Sequence, residues 1–398
     1  MSLRHGREFL SIPGPSVTPD RVLTAMHRGA PNIYEGDFLD MTVGLYPDLQ
    51  RVARTDARVA IYIANGHGAW EAALANTLSR GARALVLNSG RFGLGWAELA
   101  AAMGIETEML SQGERAPVSP DALEARLRAD RGHEIKAVLA VQVDTASSVH
   151  QEIAPLRAAI DAAGHPALLM VDAIACLGSV PMEMDAWGVD VLVAGSQKGL
   201  MTPPGLGFVW ASEKAWARDG DLRTAYWDWR PRCEPEIFYQ RFCGTAPTGL
   251  LFGLREALTM LLDEEGLENA WKRHRVLADA VRACVAGWAE GATNAGGLAF
   301  NVLDPARRAD VVTTVLMQGA DSDAFRAFCE AEEGLTLGVG LGDFDGRAFR
   351  IGHMGHLNPP MILGTLGAAE AALAALKIPH ASGLGAAAAS IGAHLAAA

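Results

Sequence analysis

Two stretches decide how this chain folds: "LLMVDAIACLG" at residues 168–178 and "VDVLVAGSQKGLMTPPG" at residues 189–205. Each opens as a strand-sized apolar run, and each run leads to a residue that chemistry can use, Asp172 in the first and Lys198 in the second. Runs that are apolar at nearly every position suit strands buried on both faces of a parallel sheet. This pair spans Ala167–Val171 and Val189–Ala194, and similar runs stand at Val59–Ala64, Ala84–Leu87, Ala137–Val143 and Leu206–Trp210. The segments between them carry helical patterns, as at Trp70–Leu78, Ser119–Ala129 and Ile153–Ala163. Strand–helix alternation predicts a doubly wound α/β domain with a mostly parallel central sheet flanked by helices.

After about Pro247 the texture changes. Leu250–Glu264 and Leu267–Glu290 read as helices, and further strands and helices follow from Asp310 to Leu376. The expected division is an N-terminal segment and large domain over residues 1–250. A smaller C-terminal α+β domain, with a long connecting helix, fills residues 251–398. The Ala/Gly-rich stretch after Lys377 reads either as a weak terminal helix or as a mobile tail. There is no internal repeat of 20–50 residues.

Composition narrows the function classes. Half of the 398 residues are apolar, a fifth are charged, and the formal net charge is -12. An acidic chain without long basic runs is a poor partner for nucleic acid or anionic membrane, because phosphate binding needs clustered Lys and Arg. The five cysteines (Cys176, Cys233, Cys243, Cys284 and Cys329) contain no C-x-x-C pair. A disulfide framework and a zinc ribbon are therefore not expected, and a reducing cytoplasm fits best. The opening MSLRHGREFLSIPGP lacks the apolar core of a signal peptide, and no run of about 18 apolar residues predicts a membrane span.

Asp172 ends a buried strand, and ligands of open α/β sheets bind beyond the carboxyl ends of the strands. Taken alone it is either a turn or helix-cap aspartate or the anion for a buried cation. Lys198 is either a solvated surface lysine or a partly desolvated amine with a lowered pKa, the kind that forms Schiff bases. The 26 positions from Asp172 to Lys198 leave room for one helix and one strand, so that both residues reach one crevice. In "IANGHGAWEAALANTL" (residues 63–78) a strand, a short turn and a helix follow one another. The turn Asn65-Gly66-His67-Gly68 would present unpaired N–H groups at a helix N-terminus, a phosphate cradle by geometry and dipole. His67 fits that cradle or a packed core equally well. A buried anion, a desolvated amine and a phosphate cradle suit pyridoxal 5'-phosphate (PLP), whose ring is a better electron sink when its nitrogen is protonated.

Together these segments resemble the class V branch of the fold-type-I PLP enzymes, and within it the serine–glyoxylate and alanine–glyoxylate aminotransferases. The resemblance runs from "FLSIPGPSVTPDRVLTAM" (9–26) to "FRIGHMGHLN" (349–358). It includes "GHGAWEAALANTL", "GSQKGLMTPPGLG", "GLREAL" (253–258) and "EEGLENAWKRH" (264–274). It implies that Lys198 is the Schiff-base lysine and proton carrier, and that Asp172 pairs with the pyridine nitrogen. Gly66 and His67 would bind the phosphate, with further contacts from Ser196 and Gln197. Phe92, in "NSGRFGLGW", would stack on the ring, and Thr145, in "VDTASSV", would place a hydroxyl near it. Thr245, in "FCGTAP", would reach the phosphate from a neighbouring subunit. Phe242 stands where a tyrosine is usual, which puts one phosphate hydrogen bond in doubt. Arg350 would clamp the substrate carboxylate with a bidentate guanidinium, a surface salt bridge being the alternative. Gly14 would join the substrate site.

One segment departs from the resemblance. Where a His-Arg-Ser-like stretch is usual, this chain has "NIYEGDF" (32–38). Tyr34 and Glu35 then either line the substrate pocket or belong only to a subunit interface. A pocket glutamate would disfavour a dicarboxylate donor through charge repulsion. The expected activity is a ping-pong transfer of an amino group from a small amino acid, serine or alanine, to glyoxylate or pyruvate. The expected assembly is a homodimer with shared sites, without a metal. Alternatives are a pyridoxamine–pyruvate type of aminotransferase, a PLP lyase, and a PLP-fold protein without catalysis. A nicotinamide-dependent oxidoreductase using "GVGLGDFDG" (338–346) is also conceivable, but no helix pattern opens at those glycines.

Overall fold

The structure is a computed structural model that describes residues 2–293 and 296–397. Its strands are β1 (Phe9–Ser11), β2 (Arg58–Ala64), β3 (Arg83–Asn88), β4 (Glu106–Ser111), β5 (Ile135–Val141), β6 (Val143–Asp144) and β7 (Val149–His150). They continue with β8 (Leu168–Asp172), β9 (Val191–Gly195), β10 (Gly205–Ala211), β11 (Gly297–Phe300), β12 (Val312–Gln318), β13 (Leu335–Val339) and β14 (Ala348–Gly352).

Seven strands form the large sheet, in the order β2-β10-β9-β8-β5-β3-β4. The five from β9 to β4 run parallel, and β10 is antiparallel to both β9 and β2. Strands β8 and β9 are buried at every position, as their apolar runs require. β4 ("ETEMLS") is half exposed at the sheet edge; it lacks an apolar run, so sequence patterning does not find it. Because β2 runs in the same sense as β9, the ends of β2, β3, β5, β8 and β9 all open on one edge of the sheet.

The expected helix between Asp172 and Lys198 is absent. Residues 173–190 form turns, and their apolar side chains, including Ala173, Cys176, Met182 and Met184, are core. A short buried connection thus brings β9 directly beside β8.

The second sheet has five strands in the order β1-β13-β14-β12-β11. Here the N-terminal segment, grouped with the large domain in the expected division, is found elsewhere. The first strand, Phe9–Ser11, pairs with Leu335–Leu337 and belongs to the C-terminal sheet. The chain therefore starts in the smaller layer, crosses the opening of the large sheet at residues 12–16, and only then builds the large domain. The helix Leu267–Glu290 spans 24 residues, as its pattern predicts. The terminal stretch is a helix, Leu384–Ala397, which buries Ala387 and Ile391. Glu370 accepts hydrogen bonds from its opening N–H groups, Gly383 (2.8 Å) and Leu384 (3.0 Å), and from Trp288 Nε1 (2.8 Å), which ties its start to the long helix.

Candidate active site

At the common strand edge lies a cavity of about 260 Å³. It gathers eight of the residues singled out from the sequence: Gly14, Gly66, His67, Phe92, Thr145, Asp172, Gln197 and Lys198.

Asp172, the last residue of β8, is 3% exposed. Its Oδ1 accepts from Ile174 N (2.6 Å) and its Oδ2 from Trp70 Nε1 (3.0 Å). Burial pushes its carboxyl up to about 7; the Ile174 and Trp70 N–H groups and the nearby Lys198 ammonium pull it back, while Asp144 adds to the rise. Lys198 lies three residues past β9. Burial, aided by the Arg350 guanidinium, draws its amine down to about 8, against the attraction of Asp172. Its Nζ donates to the carbonyl of Pro13.

The segment across the opening is stitched to the lysine loop. Ser16 N donates to Gln197 O (2.9 Å) and Ser16 Oγ to Lys198 O (2.8 Å). Gly14 adopts φ +100°, and a Cβ there would lie 2.2 Å from Lys198 Nζ, so only glycine leaves room for the amine.

The phosphate cradle differs from expectation in one respect. The helix Gly66–Thr77 starts after β2, but its N-cap Asn65 already accepts from His67 N (3.1 Å) and Gly68 N (3.3 Å). The side chains at this end of the cavity are then Asn65, His67 and Gln197. Gln197 Oε1 is buried with no hydrogen-bond partner among the described residues, the mark of a group left for a polar ligand. Burial, and Arg91 secondarily, lowers the pKa of the His67 imidazole.

Ser196 meets a geometry different from the expected phosphate contact. Ser196 is fully buried, but its Oγ donates to Pro203 O (2.7 Å) and accepts from Leu206 N (3.3 Å). It closes the loop after Lys198 and does not line the cavity. Thr245, Tyr34 and Glu35 are exposed on this chain, Tyr34 by 84%. None of the three belongs to the cavity that one chain forms by itself.

Arg350 stands on β14 and is buried, which sets aside the surface salt bridge. Its Nε donates to Val339 O (2.6 Å) and its Nη1 to Thr145 O (2.9 Å). Among the described residues it makes no ion pair, and burial lowers its pKa to about 10. A buried guanidinium held only by carbonyls keeps capacity for a carboxylate.

Trp70 and Ile174 escaped the sequence reading. Trp70 stands four residues after Gly66, one helical turn on, and stacks on Trp96 at 5.7 Å. A Cβ on Gly66 would lie 2.4 Å from Ile174 Cδ1, so that glycine brings the helix start against the cavity wall. Among the described residues, no group of three or more His, Cys, Asp or Glu could hold a metal, and no helix is long and apolar enough to cross a membrane.

The chain is similar along its whole length to known proteins. The family model for aminotransferase class-V matches residues 56–342. A serine–glyoxylate aminotransferase of Methylorubrum extorquens is 39% identical over 397 residues, covering 96% of both chains. An L-aspartate–glyoxylate aminotransferase of Paracoccus denitrificans is 36% identical, covering 95% of this chain and 94% of its own. Among solved structures, a pyridoxamine–pyruvate aminotransferase from Mesorhizobium loti superposes with a TM-score of 0.89 at 27% identity, over 99% of this chain and 100% of its own. The cavity at the strand ends, the full-length similarity and the family match lead to one conclusion: this chain belongs to the aminotransferase class-V family.

Proposed function

We propose that this protein moves an amino group from a small amino acid, serine or alanine, to a small 2-oxo acid, glyoxylate or pyruvate, with PLP held in the cavity and Lys198 as the amine that carries it. The observation that carries the reading is a pair of oppositely perturbed groups on one cavity. Asp172 is pushed up to about 7 and Lys198 drawn down to about 8, both by burial. The residues present fit the cofactor. Asp172 would hold a pyridine nitrogen, and Asn65, His67 and Gln197, the last through its amide NH₂, would meet the phosphate. Phe92 forms a wall against which a ring can pack. When bound, PLP supplies an electron sink for the carbanion left by loss of the substrate α-proton.

The chain's own groups do the rest. Lys198, with a pKa near the working pH, takes and returns the proton at Nζ. Arg350 orients the substrate carboxylate and so fixes which bond faces the ring. Trp70, Phe92 and Ile174 keep water from the reacting atoms. Thr245, Tyr34 and Glu35, exposed here, would complete the site in a homodimer from the partner's side. The relatives' names support glyoxylate as acceptor and differ in the donor. The end-to-end match to a pyridoxamine–pyruvate aminotransferase supports a second reading, in which the donor is a primary aminomethyl group carried on a pyridine ring and pyruvate is the acceptor.

Mixing the purified protein with PLP should give a near-visible absorbance band that Lys198→Ala abolishes together with nearly all turnover. Substantial turnover in that variant would overturn the assignment. A panel of serine, alanine, aspartate and pyridoxamine against glyoxylate and pyruvate separates the two readings.

A further inference from the structure

We infer that Asp144 is a positioning residue that holds the cofactor-facing wall and the carboxylate-binding arginine in one register, an inference that rests on the reading of Arg350 above. Asp144 ends β6 and is fully buried. Among the described residues it forms no ion pair; it accepts four backbone N–H groups from two separate segments. Oδ2 accepts from Phe92 N (2.8 Å) and Gly93 N (3.3 Å), and Oδ1 from Ala146 N (2.9 Å) and Ser147 N (3.5 Å). Burial pushes its carboxyl up, and those N–H groups hold it down.

The first pair opens the helix Arg91–Ala102, whose N-cap Gly90 has no side chain to cap it. A Cβ on Gly90 would lie 2.4 Å from Asp144 Cγ, so the glycine makes room for a cap supplied 52 residues away from Phe92. The second pair shapes the turn where the two sheets meet. There Arg350 Nη1 donates to Thr145 O (2.9 Å), and Thr314 Oγ1 donates to Ala146 O (2.9 Å). Thr314 is the partner of Arg350 across β12 and β14. One oxygen therefore fixes Phe92, and the other fixes the turn that seats Arg350. An asparagine offers one acceptor oxygen, so it must face its NH₂ toward one pair of N–H groups and release that side.

The test compares wild type, Asp144→Asn, Arg350→Lys and the double variant. It uses KM and kcat for the 2-oxo acid, calorimetric affinity for glyoxylate, and melting temperature. Asp144→Asn should weaken glyoxylate affinity about tenfold, the scale of one hydrogen bond to a charged group. The double variant should be no more than about twofold weaker than Arg350→Lys, because both changes act through one arginine. A milder variant, Thr314→Val, loosens the same turn and should weaken affinity about threefold with the fold intact. The inference is overturned if Asp144→Asn or Thr314→Val lowers the melting temperature while affinity and KM stay at wild-type values, or if the effects of Asp144→Asn and Arg350→Lys multiply. Wild-type affinity in Arg350→Lys would instead overturn the carboxylate role of Arg350, and this inference with it.

Discussion

Asp172 ends one strand and Lys198 follows the end of its neighbour in the same sheet, whereas Arg350 comes from the other sheet and lies behind the cavity wall, not among its lining residues, gripped by the carbonyls of Val339 and of the lining residue Thr145. The first pair is placed by a ladder of backbone hydrogen bonds that registers Asp172 against Val193. The arginine is placed by how two layers dock, through the turn after Asp144 and the strap at residues 12–16. On the proposed reading, the cofactor side is thus prefolded by a rigid element, and the substrate side depends on a joint. A joint can be altered without disturbing the sheet.

The largest expected break in this comparison is Asp172→Asn. Removing the buried anion should lower turnover on the order of 10²–10³-fold, the scale of orphaning a buried charge partner. The same change should leave the cofactor-free fold as stable or more so, since it removes a carboxylate that burial disfavours. Urea titration with and without PLP separates the two effects; equal losses in both would deny Asp172 a cofactor role.

The pH dependence of the cofactor-free protein follows from the same pair. Between the ordinary carboxylate value of 3.8 and about 7, the folded chain keeps a proton on Asp172 that the unfolded chain gives up. Stability therefore falls as pH rises through that window. Between about 8 and the ordinary lysine value of 10.5, the folded chain has lost the Lys198 proton that the unfolded chain keeps, so stability rises again. The minimum should lie near pH 7–8. Asp172→Asn should remove the falling limb and Lys198→Met the rising one, as read by denaturant midpoints across pH.

Arg350→Lys tests the other region. It should raise KM for both substrates roughly 10–100-fold by losing the guanidinium fork, with little change in the absorbance of bound PLP. A collapse of that absorbance would show that the two regions are not separable. Gly14→Ala, where the strap crosses the lysine, should cost about 1–3 kcal/mol of stability through its positive φ. It should also slow PLP uptake, measured by stopped-flow absorbance. The smallest effect belongs to the surface. Tyr34→Phe should change monomer stability by less than about 0.5 kcal/mol. Any change in KM from it would locate Tyr34 in a site completed by a second copy.

Much of this was legible before the structure. The apolar runs located six of the seven large-sheet strands to within about two residues, and they placed Asp172 and Lys198 at strand ends. The seventh, β4, was hidden because an edge strand need not be apolar. The helix Arg91–Ala102 was hidden because Gly90 carries no capping side chain and Asp144 supplies the cap from another strand. The turns at 173–190 are not legible in the sequence, because length alone allows a helix where a buried coil suffices.

The sequence by itself determined the periodic elements and the residue types at their ends, because burial pattern and propensity are local properties read along the chain. Tertiary structure alone decided that Phe9–Ser11 joins the C-terminal sheet, that Ser196 turns into its own loop, and that Arg350 is met by Thr145 and Val339. Those outcomes depend on which polar groups lie within about 3 Å once the layers pack, and that distance bears no relation to separation along the chain.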